Sequence, residues 1–376
     1  MRVGVDGTSW TNRRGYGRFI RNALTRLVEL DGDARYVFYV GAETELPERA
    51  EVRRVALSAP PGAGSTRPLG DLVRLTLAAR RDSVDVFLFP SVYTYFPVPR
   101  VPTVVGVHDL IATELPELTL PSRRARLAWD LKQRLAVRRA RIVFTVSEAS
   151  RAALARRFGL PLERIAVVRE APDSAFRPRP EGEIAAARSR VGLDSDERFV
   201  VYAGGISPHK NLETLLEAFA GAADGGRLVL AGDLSDREFL SAGERIRHLV
   251  TASGLEGRVL LPGFVADDAL AALYTGAAAA VVPSLAEGFG LPAVEAAACG
   301  APAILSDLPA HRESLADAAL YFSPTDGTAL RAHLEQALRE EGLRSSLGER
   351  GRQAVAGLSW DAAARDLRDL VWKAAA

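Results

Sequence analysis

A chain of 376 residues with 48% hydrophobic content is long enough for two domains of ordinary size, each with its own core. Its 48 Lys and Arg nearly cancel 47 Asp and Glu, leaving net +1, which argues against bulk nucleic-acid binding and leaves only local patches. The single cysteine, Cys299, excludes an internal disulfide and a cysteine metal cluster and fits a reducing compartment.

The chain opens as a strand over 2–6 with no charged-then-apolar leader, and no apolar run is long enough to span a bilayer, so a cytoplasmic protein is expected. Gly7, Thr8 and Ser9 follow, then Arg13, Arg14, Gly15, Tyr16, Gly17 and Arg18, then an amphipathic helix from about 19 to 30, completing a first βα unit. Gly15 and Gly17 lack the third glycine of the dinucleotide fingerprint, so alone they read as turn glycines. Strands are predicted over 36–40, 52–57, 84–89, 103–107 and 141–146, with helical patterns between several of them. Such alternation implies a mostly parallel sheet covered by helices on both faces. Ligands collect outside the carboxyl ends of strands in such sheets, and His108 with Asp109 lies at one of these ends. Ser147, at another, reads as a helix N-cap. From 121 to 141 the chain is strongly basic. On a helical wheel Arg123, Arg126, Arg134, Arg138 and Arg141 fall within about a third of the circumference, interrupted by Asp130 and beside an apolar stripe of Leu120, Leu127, Leu131 and Leu135. Two readings stand: a solvated basic face, or peripheral contact with an anionic inner-face membrane or a lipid-diphosphate acceptor.

Pro172, Pro178 and Pro180 interrupt the pattern, which places a first domain over 1–172, a linker over 173–198 and a second domain over 199–359. The second begins with a strand over 199–203 running into Gly204, Gly205, Ile206, Ser207, Pro208, His209, Lys210 and Asn211. The glycines admit close backbone approach, and Lys210 is either a solvated loop lysine or a point charge able to meet a diphosphate. Further strands are predicted over 228–231, 259–261, 278–282, 303–305 and 320–322; Gly263, Phe264 and Val265 follow one of them, and Ser306 with Asp307 reads as loop after another. After 278–282 come Glu287, Gly288, Phe289, Gly290, Leu291 and Pro292, then an Ala-rich pattern ending at Cys299 and Gly300. That reads strand, loop, helix, with Pro292 suited to the first helical position and Gly300 to the stop. The loop glycines leave the helix start open to an anion, phosphate above all. Glu287 in the loop and Glu295 about one turn inside the helix can address one ligand from different depths, although each alone reads as an ordinary acid. In the last helix Ser359 is a plausible cap and Trp360 an apolar anchor.

The tract from Glu287 to Pro292, with Glu295 after seven intervening residues, resembles the motif of retaining glycosyltransferases of family 4, also called group 1. The resemblance covers nearly the whole chain and is sharpest over 202–306. It implies an α/β fold of GT-B architecture, two Rossmann-like domains with a deep interdomain cleft, and a last helix (about 360–376) that packs back on the first domain. By the same resemblance Glu287 faces the transferred sugar, with the backbone of Phe289, Gly290 and Leu291 nearby, and Glu295 holds the nucleotide ribose. The tract 106–110 is similar to one whose histidine lies over the donor sugar, which singles out His108. Gly15 and Gly17 would line the cleft, and Gly204, Gly205 and Lys210 would face the diphosphate. Gly263, Phe264 and Val265 would cradle the base through their backbone. One departure is His209, where the family often has arginine; a neutral imidazole brings less charge to the leaving group.

Moving a sugar from a nucleoside diphosphate requires tolerance of positive charge at the anomeric carbon and stabilisation of a departing diphosphate. Lys210, the glycine-loop amides and the helix start near Leu291 would serve the second need, so neither a metal nor a tightly bound cofactor is expected. The donor is expected to be a UDP- or GDP-linked hexose, mannose or similar, and the acceptor a glycan, lipid-linked or small-molecule hydroxyl in polysaccharide biosynthesis. Acceptor contacts are expected in the loops over 60–66 and 93–98. Retention follows from the resemblance alone, and a front-face route in which the leaving phosphate takes the acceptor proton is favoured. The rivals are a nucleotide-sugar epimerase of the same architecture and an inactive sugar-nucleotide-binding partner subunit, the latter suggested by His209.

Overall fold

The computed structural model describes residues 1–12, 15–41, 44–58, 67–222, 226–233 and 242–376. The chain divides into two units, Met1–Glu170 with Ser359–Ala376, and Ala171–Leu358.

The first unit holds a parallel sheet of β1 (Arg2–Asp6), β2 (Arg35–Val40), β3 (Glu51–Arg54), β4 (Val86–Phe89), β5 (Thr103–Gly106), β6 (Ile142–Thr145) and β7 (Ile165–Val167), in the order β3-β2-β1-β4-β5-β6-β7. β4, β5 and β6 are buried along their whole length, as apolar strands covered on both faces must be. Phe87, Phe89 and Phe96 anchor that core, with ring centroids 4.7 to 5.3 Å apart. β7 was not expected, because three residues are too few to show a periodic pattern. The helices are α1 (Gly15–Leu30), α2 (Leu69–Arg81), α3 (Ile111–Glu114), α4 (Pro116–Thr119), α5 (Arg123–Arg139) and α6 (Glu148–Phe158).

On α5 the inward face is Trp129, Gln133, Ala136 and Val137. Thr113 fixes that face: its hydroxyl accepts from Trp129 Nε1 at 3.1 Å and donates to Gln133 Oε1 at 2.8 Å. The predicted leucine stripe is therefore split, with Leu120 buried and Leu127 and Leu131 turned outward at 72% and 68% exposure.

The second unit runs α7 (Glu181–Val191), β8 (Phe199–Ala203), α8 (Leu212–Gly221), β9 (Arg227–Ala231), α9 (Gly243–Ala252), β10 (Val259–Gly263), α10 (Asp267–Gly276), β11 (Ala279–Val282), α11 (Leu291–Ala298), β12 (Ala303–Ser306), α12 (Pro309–Leu315), β13 (Ala319–Phe322), α13 (Gly327–Arg339) and α14 (Glu341–Val355). Its strands are parallel in the order β10-β9-β8-β11-β12-β13. The stretch 173–198, read as linker, belongs to this unit: α7 packs on α10 through buried Ile184 and Ala187, and Phe176 lies in the same core. Its prolines mark the helix start, Pro180 being the residue before α7, rather than an open connection.

The last helix, α15 (Trp360–Ala375), lies in the first unit against α1. Ser359 caps it by accepting from the Ala362 N–H at 3.2 Å, Asp361 pairs with Arg26 at 2.6 Å, and Trp372 Nε1 donates to Asp31 at 3.0 Å. Among the described residues no helix is long and apolar enough to cross a membrane.

Both sheets reverse their winding direction once, between β1 and β4 in the first unit and between β8 and β11 in the second. Such a reversal splays the connections apart and opens a crevice at the carboxyl ends of the two strands.

Candidate active site

In the second unit the crevice lies between the loops that leave β8 and β11. After β8, Gly204 turns the chain at φ +153°, and the Tyr202 hydroxyl donates to the Gly205 carbonyl at 2.6 Å. Pro208–Lys210 forms one tight helical turn, closed by Asn211 in the left-handed region. Asn211 then ties the two loops together, its Nδ2 donating to the Pro283 carbonyl at 3.0 Å and to that of Pro324 at 2.8 Å. A backbone bond from the Leu285 N–H to the His209 carbonyl, at 2.9 Å, adds a second tie. His209 itself is buried, with Nδ1 at 3.2 Å from the Ser207 hydroxyl.

These ties bring Lys210 Nζ to 2.7 Å from Glu287 Oε1, with the Ser284 hydroxyl donating to the same oxygen at 2.6 Å. Burial alone would push the Glu287 carboxyl up. The Lys210 charge, the neighbouring His311 ring and the hydrogen bonds from Lys210 and Ser284 outweigh it and hold the pKa at about 2. Glu287 is thus an anion at any working pH, and Lys210 is a cation held by a partner that leaves its remaining N–H groups for a ligand.

Gly290 precedes α11 at φ +89°, and a Cβ there would come within 2.7 Å of His311 Cδ2. Only glycine satisfies both conditions. His311 is fully buried, its Nδ1 at 2.8 Å from the Ser306 carbonyl, so Nδ1 carries a proton, while Nε2 has no partner among the described residues. Burial lowers its pKa, with the Glu287 charge acting the other way. Sequence reasoning missed His311, because a histidine in a short polar helix carries no signal until its packing under Gly290 is seen. Phe289 and Leu291 are buried, and the Phe289 carbonyl accepts from the Ser314 hydroxyl at 3.2 Å. Glu295 is buried on α11, where its charge, after burial itself, helps push the Cys299 thiol up to about 12. At the end of β10, the Gly263 carbonyl accepts from the Gly232 N–H at 3.0 Å, Val265 packs partly into the core, and the Phe264 ring stands 63% exposed.

In the first unit His108 follows β5 and is 7% exposed, Nε2 lying 2.8 Å from the Pro90 carbonyl and Nδ1 3.5 Å from Glu170 Oε1. Its ring meets Phe19 edge-on at 4.7 Å. Glu170, buried just beyond β7, is a second residue the sequence did not single out. Ser147 caps α6, its hydroxyl accepting from the Ser150 N–H at 3.0 Å. Gly15 and Gly17 are not in a loop: they form the first turn of α1, and a Cβ on Gly17 would sit 2.0 Å from the Asn12 carbonyl oxygen, a close backbone pass. Arg13, Arg14 and the loop 60–66 lie outside the described residues. The stretch 93–98, expected as an open acceptor loop, is largely core, with Tyr95, Phe96 and Val98 buried because their apolar side chains complete the aromatic cluster.

Two parallel sheets of this strand order, each covered by helices, make a pair of Rossmann-like units of the GT-B glycosyltransferase type. Solved structures agree on the fold. Sucrose-phosphate synthase from Thermosynechococcus elongatus superposes with a TM-score of 0.80 at 20% identity, covering 99% of this chain and 98% of that one. Anabaena HepE in complex with UDP-glucose gives 0.78 at 18% identity and 99% coverage of both. Among curated proteins, the O-antigen chain mannosyltransferase B of Escherichia coli is 30% identical over 287 residues, 75% of this chain and 73% of that protein. A D-inositol 3-phosphate glycosyltransferase of Rhodococcus opacus is 33% identical over 217 residues, 55% and 47% of the two chains. The family model "Glycosyltransferase Family 4" matches residues 13–174 and "Glycosyl transferases group 1" matches residues 183–354. The chain belongs to the group 1, family 4 glycosyltransferases, and it is a glycosyltransferase enzyme.

Proposed function

We propose that this enzyme moves a hexosyl unit, mannose or a similar sugar, from a UDP- or GDP-sugar to a hydroxyl of a glycan, lipid-linked or small-molecule acceptor, with retention of configuration and without a metal. The observation that carries the reading is the Lys210–Glu287 contact at the crevice of the second unit. It places a cation and a permanent anion together where a reaction that separates charge needs both. Lys210 and the N–H groups at the start of α11 meet the departing diphosphate. Glu287 faces the sugar, where its negative charge favours the positive character of the anomeric carbon. The leaving phosphate oxygen takes the acceptor proton as the new glycosidic bond forms on the face it vacates. Glu295 holds the ribose, and the 263–265 backbone the base. His108, whose Nε2 lies on the Pro90 carbonyl at the end of β5, faces the donor sugar and orients its hydroxyls. Mannose is favoured by the names of several relatives, among them the E. coli mannosyltransferase B and Serotype-specific mannosyltransferase WbdA.

Thermal melting with UDP, GDP and ADP, each with EDTA and with magnesium, tests the reading. A ligand at about a hundred times its dissociation constant adds roughly 2.7 kcal/mol. A shift selective for one base and undiminished by EDTA is expected; no shift with any nucleotide overturns the assignment. NMR of the product anomer then decides retention.

A second reading concerns location. Leu127 and Leu131 stand exposed on α5 among exposed Arg123, Arg124, Arg138 and Arg139, a pairing of apolar and cationic groups suited to the headgroup region of an anionic bilayer. Co-sedimentation with phosphatidylglycerol vesicles, but not phosphatidylcholine vesicles, is expected at low salt and is abolished by Leu127→Glu with Leu131→Glu; equal sedimentation of that variant removes the reading.

A further inference from the structure

Among the described residues, the crevice of the first unit brings Arg67 and Lys132 together with Asp6 and leaves several polar atoms without partners. At the end of β1, Asp6 is fully buried; its Oδ1 accepts from the Thr8 N–H at 3.1 Å and the Thr8 hydroxyl at 2.6 Å, while Oδ2 has no partner among the described residues. The same Thr8 hydroxyl accepts from Arg67 NH2, and Nε and NH1 of that guanidinium are shut from solvent without partners among the described residues. Across the crevice, just after β4, the Tyr93 carbonyl accepts from Lys132 Nζ at 2.8 Å. Lys132 reaches it from α5 along the Trp129 ring, with Nζ 5.2 Å from the ring centroid. Burial, and next the Arg67 charge, push the Lys132 pKa down to about 8, with Asp6 acting the other way. Two cations therefore share a desolvated space with one carboxylate. A guanidinium with two idle donors beside an ammonium suits the oxygens of a phosphate group, which it can take two at a time. Unused donors of this kind are costly unless a ligand completes them.

We infer that the crevice formed by Asp6, Thr8, Arg67, Tyr93 and Lys132 binds a phosphate group carried by the acceptor, so that this transferase acts on a phosphorylated rather than a neutral acceptor. Arg67 grips the phosphate, Lys132 adds the second charge, and the idle Oδ2 of Asp6 accepts from a hydroxyl of the attached sugar or polyol. The acceptor half of this inference rests on the transferase reading above; the phosphate site does not.

Calorimetric titration separates the two. Inorganic phosphate, glucose 6-phosphate and glucose are titrated into wild type, Arg67→Ala, Lys132→Met, Lys132→Arg and Lys210→Ala, alongside UDP and GDP. Both phosphates are expected to bind and glucose not to. Arg67→Ala and Lys132→Met each weaken the phosphates by roughly tenfold or more, the loss of a charge-assisted hydrogen bond. Lys210→Ala leaves glucose 6-phosphate unaffected, Lys132→Arg restores it, and nucleotide binding persists in both first-unit variants. Phosphate binding that disappears with Lys210→Ala alone places the probe in the second unit and overturns the site, as does absence of binding by either phosphate. Equal losses in Lys132→Arg and Lys132→Met reduce Lys132 to a prop for Tyr93 and overturn its role. Binding of inorganic phosphate with exclusion of glucose 6-phosphate overturns the acceptor assignment. Failure of both nucleotides in the wild type removes the transferase premise and the acceptor half with it, while the phosphate titrations still decide the site.

Discussion

The two crevices share one strand order but not one electrostatic design. In the second unit the cation Lys210 is paired with the anion Glu287. In the first, Arg67 and Lys132 outnumber Asp6, and several of their polar atoms wait for a partner. A closed pair suits a ligand that arrives with both a sugar and a diphosphate, because it offers charge of both signs to one molecule. An excess of cation suits a ligand that brings the missing charge. The same fold thus leaves the character of each site to a few side chains on its connecting loops.

The largest effect that would break this comparison is on turnover. Lys210→Ala is expected to lower kcat by roughly a hundredfold to a thousandfold, the cost of removing a preorganised group from a developing negative charge, measured as nucleoside diphosphate release. Near-normal release removes Lys210 from the chemistry. Next comes stability: Glu287→Gln leaves a largely buried ammonium without its counterion and is expected to cost about 3 kcal/mol in urea unfolding. The double variant with Lys210→Ala should recover much of that stability and none of the activity, whereas equal stability of all three proteins would show the pair to be unimportant to the fold. Gly290→Ala is smaller, about 1–3 kcal/mol from the left-handed backbone and the contact with His311, read as a lower melting temperature. Adding His311→Ala should relieve the contact but not the backbone strain, so recovery is partial.

The smallest effects concern pH and sharpen the contrast between the crevices. Glu287 has a depressed folded pKa, so its stabilisation is present above the ordinary glutamate range near 4.5 and disappears as pH falls toward about 2. Lys132 is also depressed, from 10.5 to about 8, and for a base the sign reverses. Between those values the unfolded chain binds the proton that the folded chain has released, so stability rises with pH across the window. Lys132→Met should flatten that rise, and at pH 7 it should not destabilise the protein, as befits a residue kept for binding. An unchanged pH slope in the variant assigns the rise to another group.

Much of the second-unit site was readable along the chain because its parts are local. Glu287, Gly288, Gly290 and Pro292 stand in one loop and helix start, and spacing alone suggests an anion-binding end. That Lys210 would touch Glu287 was not readable, since 77 residues separate them and the loops are brought together by the Asn211 side chain and the Leu285–His209 backbone bond. His311, Glu170 and the Asp6–Thr8–Arg67 chain were missed for the same reason: each acquires its meaning from a neighbour distant in sequence. The basic helix was legible as a helix with an exposed basic face, but which of its other residues turn inward was not. Periodicity locates an apolar stripe but not the polar partner that decides which side is inward, and here Thr113 holds Trp129 and Gln133 inward and leaves Leu127 and Leu131 in solvent.

By itself the sequence determined the alternation of strand and helix, and hence two parallel sheets. Those signals are short-range: apolar runs of four to six residues, glycines and prolines at the turns, and caps such as Ser147 and Ser359. Only the tertiary structure decided which strands became neighbours across the winding reversal, which charges were paired there and which were left waiting, and that 173–198, with its packed helix over 181–191, belongs to the second unit. The reason is that desolvation and ion pairing depend on what surrounds a group in space, and in a parallel sheet each neighbour arrives only after an intervening helix.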